Sequence, residues 1–127
     1  MIFMTIVNSS NFSESLQALK DVIEPHKTLV LDVETNGLDS YGNNQICGVG
    51  VGEPKTEGLL QYYPFRHHQG GNLPPDHLKE LIAYLNSLET FIGYNIKFDL
   101  HFLEKEGLEV LNKKLVDVIV MVRLVVR

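Results

Sequence analysis

The segment LDVETNGLD, residues 31–39, carries the strongest structural and chemical signal in this chain of 127 residues. It closes a mostly apolar run, a pattern typical of a strand covered on both faces, and it contains the turn-forming pair Asn36-Gly37. Asp32 and Glu34 stand two residues apart on this predicted strand, so both side chains should lie on the same side of the sheet. At the C-terminal end of a central strand they could converge on one Mg²⁺ or Mn²⁺ ion, because these hard cations prefer oxygen ligands. A strand that simply ends in solvated acids before a turn would give the same short pattern.

The segment GYNIKFDL, residues 93–100, adds another acid. Asn95 and Asp99 are four residues apart, which places them on one face of a helix, one turn apart. Taken singly, Asn95 is typical of a helix cap, and Asp99 of a first-turn acid favoured by the helix dipole. Phe98 and Phe102, taken alone, are typical of core residues. The two motifs together, about sixty residues apart, are much more specific than either one.

Helices and strands alternate along most of the chain. Strands are predicted over residues 4–7, 28–34, 46–51, 59–65, 90–93 and 115–117, with a hairpin between the third and the fourth. Helices are predicted from a capping box at Asn11 and Glu14 to Pro25, over the apolar positions 78–88, and from Asn95 to Glu106. This order predicts a single α/β domain over residues 1–127, in which helices pack on the faces of a mixed sheet.

The net charge of −5 at pH 7 speaks against binding nucleic acid through bulk electrostatic attraction. A metal-dependent nuclease is compatible with that charge, since its site concentrates carboxylates and bound divalent cations reverse the local field. The single cysteine, Cys47, excludes an intrachain disulfide and fits a reducing, cytoplasmic compartment, with Cys47 as a small buried residue beside a strand. Neither a signal peptide nor a membrane-spanning run is recognisable, so no membrane association is expected.

The two motifs resemble two of the three signature motifs of the DEDD (DnaQ-like) 3′–5′ exonuclease superfamily. The closest likeness is to the proofreading domain of family A DNA polymerases, of the DNA polymerase I type. This resemblance implies an RNase H-like fold, in which three antiparallel strands are followed by α/β crossovers. It covers about residues 4–127, the N-terminal two-thirds of an exonuclease domain. Because the chain ends at Arg127 inside an apolar segment, we expect a fold that is incomplete at its C-terminus.

The resemblance also implies hydrolysis of the 3′-terminal phosphodiester of single-stranded DNA by two Mg²⁺ or Mn²⁺ ions about 4 Å apart. In that scheme Asp32 bridges both ions, Glu34 holds the water-activating ion, and Asp99 supports the second ion. The positions that match those near the substrate's terminal nucleotide are Thr35, Leu38, Asn95 and Phe98.

The third family motif, an aromatic residue or His followed four residues later by Asp, is absent from these 127 residues. Asp117 is preceded at that spacing by Lys113, and it matches a family position that is not a ligand. Loss of a metal-binding acid leaves the ion poorly held, so we expect weak or absent activity from these residues alone. His67 and His68 could suggest a transition-metal site, but without a nearby cysteine or third histidine a solvated loop is the favoured interpretation.

Several alternatives stay open on the sequence alone. The chain could be a non-catalytic module that keeps the exonuclease fold and binds nucleic acid or protein. RNA is a less favoured substrate than single-stranded DNA, and a DNA polymerase domain or chain is the expected partner. An incomplete fold would expose apolar surface, which predicts self-association. Residues 118–126 have the Val and Ile content of a strand, whereas the resemblance places the start of a helix there.

Overall fold

The computed structural model describes residues 4–55 and 59–118. In chain order its elements are β1 (Met4–Ile6), α1 (Phe12–Ile23), β2 (Thr28–Thr35), β3 (Ile46–Gly52), β4 (Leu60–Pro64), α2 (Pro75–Asn86), β5 (Thr90–Gly93), α3 (Ile96–Lys105) and β6 (Lys114–Asp117). The predicted order of strands and helices is therefore confirmed. The segment 118–126, for which strand and helix were competing predictions, lies outside the described residues beyond Val118. None of the described helices is long and apolar enough to cross a bilayer.

The strands form one mixed sheet in the order β1-β4-β3-β2-β5-β6. Strands β2, β3 and β4 are antiparallel neighbours, with the predicted hairpin between β3 and β4. Strand β5 adds to β2 in parallel, β6 adds to β5 in parallel, and β1 pairs in parallel with β4 at the other edge. The strand that carries Asp32 and Glu34 is thus central, as the sequence predicted.

The three helices cover the same face of the sheet. Each helix connects two parallel strands, and each connection moves across the sheet in the same direction, so right-handed crossovers place all three on one side. The contacts agree with this arrangement: Phe12 of α1 packs edge-on against Tyr63 of β4 at 5.9 Å and stacks on His77 of α2 at 4.0 Å. The core on this face includes Leu16, Leu19, Leu29, Leu31, Val33, Val49, Val51, Tyr63, Leu81, Leu85, Phe91 and Leu103.

The opposite face of the sheet is open among the described residues. Along β2, Leu31 and Val33 are buried, whereas Asp32 and Glu34 on the other side are exposed. Within residues 4–55 and 59–118 the crossovers lie on one side, so the expectation that this strand is covered on both faces is wrong for this part of the chain. We call this surface the open face; it consists of Met4, Ile6, Val30, Asp32, Glu34, Gly48, Gly50, Gly52, Leu60 and Tyr62. Cys47 lies in β3 as a half-buried free thiol.

Two predicted helix caps have the right place but the wrong chemistry. Asn11 precedes α1, yet its side-chain oxygen accepts a hydrogen bond from the backbone amide of Asn8 at 2.8 Å and makes no cap bond, so the capping box with Glu14 does not form. Asn95 precedes α3 in a left-handed conformation, with φ 56°, and its side chain makes no cap bond either. Instead the backbone amide of Asn95 donates to Oδ1 of Asp117 at 2.9 Å.

Candidate functional site

Asp32 and Glu34 lie side by side on the open face, as their spacing predicted. In the sheet register Asp32 is opposite Gly50 and Glu34 is opposite Gly48. The register then shifts between Glu34 and Thr35, an irregularity of the kind that redirects side chains at the end of a strand. Both carboxylates line a groove of about 400 Å³ on this face.

The groove exists because β3 presents glycine at every second position. A Cβ atom at Gly48 would overlap the hydroxyl group of Tyr62, and one at Gly50 would stand 3.3 Å from the backbone oxygen of Asp32. The ring of Tyr62, from the next strand, therefore passes over Gly48 and reaches Glu34. The sequence GVGVG thus clears the surface in front of the two acids.

Asp99 approaches the same strand from the helical side. It is 4% exposed, and its Oδ2 accepts a hydrogen bond from the backbone amide of Val33 at 3.4 Å. Burial raises the pKa of Asp99 to about 7; the Val33 hydrogen bond lowers it, and the negative charges of Asp32 and Asp117 raise it. The second motif is thereby placed directly against the first.

The charge of Asp32 interacts with both of the other acids. Burial raises the pKa of Asp32, and the neighbouring charge of Glu34 raises it further. Asp32 in turn raises the pKa of Asp99. This mutual repulsion is what a bound divalent cation would relieve, since opposite charge favours the ionised carboxylates.

The three acids are close but are not gathered into a ready-made cation site. In the described ranges, no group of three or more His, Cys, Asp or Glu side chains is placed to hold a metal ion. One oxygen of Glu34 accepts from the Tyr62 hydroxyl, and one oxygen of Asp99 accepts from the Val33 amide. The oxygen donors nevertheless have the chemistry that Mg²⁺ and Mn²⁺ prefer. By donor type, these residues therefore fit such an ion.

The predicted substrate residues have mixed surroundings. Thr35 is half-buried and its hydroxyl donates to the carbonyl of Gly37 at 2.6 Å. Phe98 is half-buried and packs against Phe102 with ring centroids 5.2 Å apart. Asn95 is exposed and precedes the helix, so it does not share a helix face with the buried Asp99 as its spacing predicted.

Leu38 is 85% exposed, yet the loop that carries it is well anchored. Asn36 and Gln45 exchange two hydrogen bonds across the base of the loop, at 3.1 and 2.8 Å. The ammonium group of Lys105 in α3 donates to the carbonyls of Gly42 and Asn44 at 3.3 and 2.6 Å. An apolar side chain is therefore presented to solvent on a fixed support.

Sequence reasoning missed two residues that contact the site. The hydroxyl of Tyr62 donates to Oε2 of Glu34 at 3.1 Å and lies 2.7 Å from Nε2 of His67. Burial and the charge of Glu34 raise the pKa of Tyr62, so its hydroxyl stays protonated. Interpreting both histidines as solvated was wrong for His67, whereas His68 is exposed. The alternating glycines of β3 were the available signal, since they leave room for a long side chain beside Glu34.

Among known proteins, no family model matches the chain. It is 29% identical over 100 residues to DNA polymerase I of Synechocystis, which is 74% of this chain and 10% of that protein. It is 31% identical over 100 residues to a DNA-directed DNA polymerase of Pseudomonas phage M6, which is 68% of this chain and 14% of that protein. The chain spans 10% to 14% of the length of the curated relatives it matches.

Solved structures share the fold at low sequence identity. The Mg²⁺- and Mn²⁺-bound form of S. pombe Pop2p superposes with a TM-score of 0.71 at 14% identity, covering 96% of this chain and 76% of that one. The EXD2 exonuclease domain soaked in Mn and GMP superposes with a TM-score of 0.61 at 16% identity, covering 95% of this chain and 58% of that one. These likenesses concern the fold, which is the RNase H-like fold expected from the two motifs. Together with both acidic motifs, the DNA polymerase relatives support the resemblance to the DEDD (DnaQ-like) 3′–5′ exonuclease superfamily.

Proposed function

We propose that this chain is part of a 3′–5′ exonuclease of the proofreading type, which removes nucleotides from the 3′ end of single-stranded DNA. The observation that carries the proposal is the hydrogen bond from the Val33 amide to Asp99. It joins the helix of the second motif to the strand of the first, between Asp32 and Glu34. We also propose that residues 1–127 belong to a single domain.

In the proposed site Asp32 would be the shared ligand, as the family resemblance implies, and its position close enough to raise the pKa of Asp99 is compatible with that role. Glu34, on the open face, and Asp99, on the helical side of the strand, would be the other two ligands from this chain. When bound, two Mg²⁺ or Mn²⁺ ions would activate a water and stabilise the leaving 3′ oxygen. Asp99 must release its proton before it can act as a ligand, since metal-binding carboxylates are ionised.

The substrate side of the proposal uses the exposed loop and the start of α3. Leu38 is assigned to packing against the terminal base, and its exposure on an anchored loop supports this assignment. Thr35 and Asn95 are assigned to polar contacts with the terminal nucleotide, and Phe98 to the wall beside the site. DNA is favoured over RNA because the matched relatives are DNA polymerases.

These residues alone should act weakly. No Tyr or His stands four residues before an Asp in the sequence, so the fourth acid of the family is not supplied by the third motif. Loss of an outer-shell partner typically costs about 10–100-fold in metal affinity or activity. We expect loss of a direct ligand to cost more. Asp117 is a poor replacement, since its Oδ1 already accepts the amide of Asn95 at 2.9 Å.

A second candidate is a non-catalytic module that keeps the fold and binds nucleic acid or a protein. It is favoured by the fact that the acids of the described residues are not assembled into a metal site. In either case we propose a DNA polymerase domain or chain as the partner, because the curated relatives are DNA polymerases.

The discriminating experiment is digestion of a single-stranded DNA oligonucleotide, labelled at its 5′ end, with Mg²⁺ or Mn²⁺. Asp32→Ala is the test variant, and Asp76→Asn, an exposed acid on α2, is the matched control. A ladder of shortened products that Asp32→Ala abolishes and Asp76→Asn keeps supports the exonuclease. A folded protein that binds the oligonucleotide but leaves it uncut supports the module. An RNA oligonucleotide of the same sequence tests the preferred sugar.

A further inference from the structure

Glu34 is held in place by a chain of side chains that starts in a distant loop. An isolated glutamate on an open sheet face would sample several rotamers, and ordering it costs conformational entropy. Here Oε2 of Glu34 accepts a hydrogen bond from the hydroxyl of Tyr62 at 3.1 Å. Tyr62 belongs to β4, which is separated from the strand of Glu34 by β3. The contact therefore crosses a whole strand.

Gly48 makes that crossing available. It is the residue of β3 directly opposite Glu34, and any Cβ there would overlap the Tyr62 hydroxyl. The tyrosine ring consequently occupies the space that a side chain of β3 would normally fill. This arrangement ties the conformation of Glu34 to β4 and to the loop that follows it.

His67, in that loop, fixes the direction of the hydrogen bonds. A tyrosine hydroxyl has one proton, and donating it to Glu34 leaves the oxygen to accept from Nε2 of His67 at 2.7 Å. The two rings also pack, with centroids 5.7 Å apart. The backbone of His67 is itself clamped by Asn72, whose side chain accepts from the His67 amide at 2.7 Å and donates to its carbonyl at 2.8 Å.

We propose that Tyr62, oriented by His67, is a positioning residue that holds Glu34 for binding a divalent cation. The inference rests on the proposed nuclease function. Tyr62 occupies one oxygen of Glu34, which leaves the other oxygen for the ion. The role belongs to the hydroxyl of Tyr62, whereas its ring serves to carry that hydroxyl across β3.

The test is a titration of the metal-free protein with Mn²⁺, in which the electron paramagnetic resonance signal of free Mn²⁺ measures how much of the ion is bound. Tyr62→Phe should weaken binding by about 10–100-fold, the usual effect of removing an outer-shell partner. His67→Leu should weaken it as well, and His67→Gln should recover part of the loss because the amide can still donate. Tyr63→Phe, on the helix-covered face, and the exposed His68→Gln are matched controls that should bind as the wild type does.

The outcomes separate this inference from the function on which it rests. Unchanged Mn²⁺ affinity in Tyr62→Phe, with binding lost in Asp32→Asn, overturns the positioning role and keeps the metal site. A wild-type protein that binds no Mn²⁺ overturns both. In the DNA digestion, Tyr62→Phe should shift half-maximal activation to higher Mn²⁺ concentration and leave KM for DNA unchanged, a split that a general loss of folding does not produce.

Discussion

The carboxylate of Asp99 accepts a hydrogen bond from the backbone amide of Val33, 66 positions earlier in the chain, at 3.4 Å. Val33 stands between the two acids of the first motif, so this bond joins α3 to the strand between them. The same bond lowers the pKa of a carboxyl group that burial has raised. The site therefore includes a buried acid that titrates near neutral pH before any cation binds.

The first prediction concerns stability of the metal-free protein. The pKa of Asp99 is about 7 in the folded state, against about 3.9 in an unfolded chain. Between these values the folded state binds more protons, so this group lowers the free energy of unfolding as pH rises from about 4 to about 7. Asp99→Asn removes this pH-dependent loss of stability, and the side-chain oxygen of the asparagine can still accept a hydrogen bond from the Val33 amide. We expect the variant to melt a few degrees higher than the wild type at pH 8, with a smaller difference at pH 5.

Thermal melts in a chelator at several pH values measure this difference. Asp76→Asn, an exposed acid in the first turn of α2, controls for the loss of one negative charge. An Asp99→Asn protein that melts lower than the wild type at pH 8 would show that the ionised carboxylate stabilises the fold.

The second prediction is that divalent cations reverse this pH trend. Binding stabilises the folded state by mass action, by about 2.7 kcal/mol when the ligand is at 100 times its dissociation constant. Because the acids must be ionised to bind, Mn²⁺ should raise Tm more at pH 8 than at pH 6. Differential scanning fluorimetry with and without Mn²⁺ tests this, and Asp32→Asn should abolish the shift. An equal shift in Asp32→Asn would place the ion elsewhere.

The sequence predicted the elements and the central acid-bearing strand because those follow from periodicity and turn residues. Strand β5, for example, is predicted and observed over the same four residues, Thr90–Gly93. The alternation along β2 also placed Asp32 and Glu34 on one face. These are local properties that depend on neighbours in the chain.

What the sequence did not predict depends on distant neighbours. The side chains of Asn11 and Asn95 do not cap their helices. Asn11 accepts a hydrogen bond from the amide of Asn8 instead, and Asn95 has a left-handed backbone conformation. Tyr62 in β4 contacts Glu34 in β2 across β3, so this contact could be predicted only with knowledge of how β3 is paired with its neighbours. To predict the open face, one would need to know that the crossovers within the described ranges all lie on one side of the sheet.

The third prediction tests the space provided by β3. Gly48→Ala places a methyl group where the Tyr62 hydroxyl lies, so the tyrosine must leave Glu34. Mn²⁺ affinity should fall by about as much as in Tyr62→Phe, in the range of 10–100-fold. Gly52→Ala is the matched control on the same face of the strand, since its Cβ would meet neighbours only at 3.4 Å or more. Mn²⁺ titrations of the two alanine variants should therefore differ, and equal affinities would count against the contact.

The fourth prediction concerns self-association through the open face. Met4 and Ile6 are 52% and 53% exposed at its edge, beside the half-buried Val30 and Leu60. Contiguous exposed apolar surface promotes association, so the molar mass from light scattering should rise with protein concentration. Ile6→Lys should suppress the rise, whereas Leu111→Lys, at an exposed apolar position away from this face, should not. A constant monomer mass in the wild type would contradict the prediction.

The last prediction separates substrate binding from metal binding. Lys105 holds the loop that carries Leu38 by donating to the carbonyls of Gly42 and Asn44, and its ammonium group lies 5.5 Å from the ring centre of Phe102. Lys105→Met keeps an apolar side chain on that ring but removes both hydrogen bonds, so Leu38 loses its fixed support.

We expect a several-fold increase in KM for single-stranded DNA in Lys105→Met, with Mn²⁺ affinity unchanged, because the two lost hydrogen bonds end on loop carbonyls and not on the acids. Leu38→Ala should raise KM in the same way, and Lys79→Met, at an exposed position on α2, should leave it unaltered. If Lys105→Met weakened Mn²⁺ binding instead, the loop would be supporting the acids and the assignment of Leu38 to the substrate would lose its structural basis.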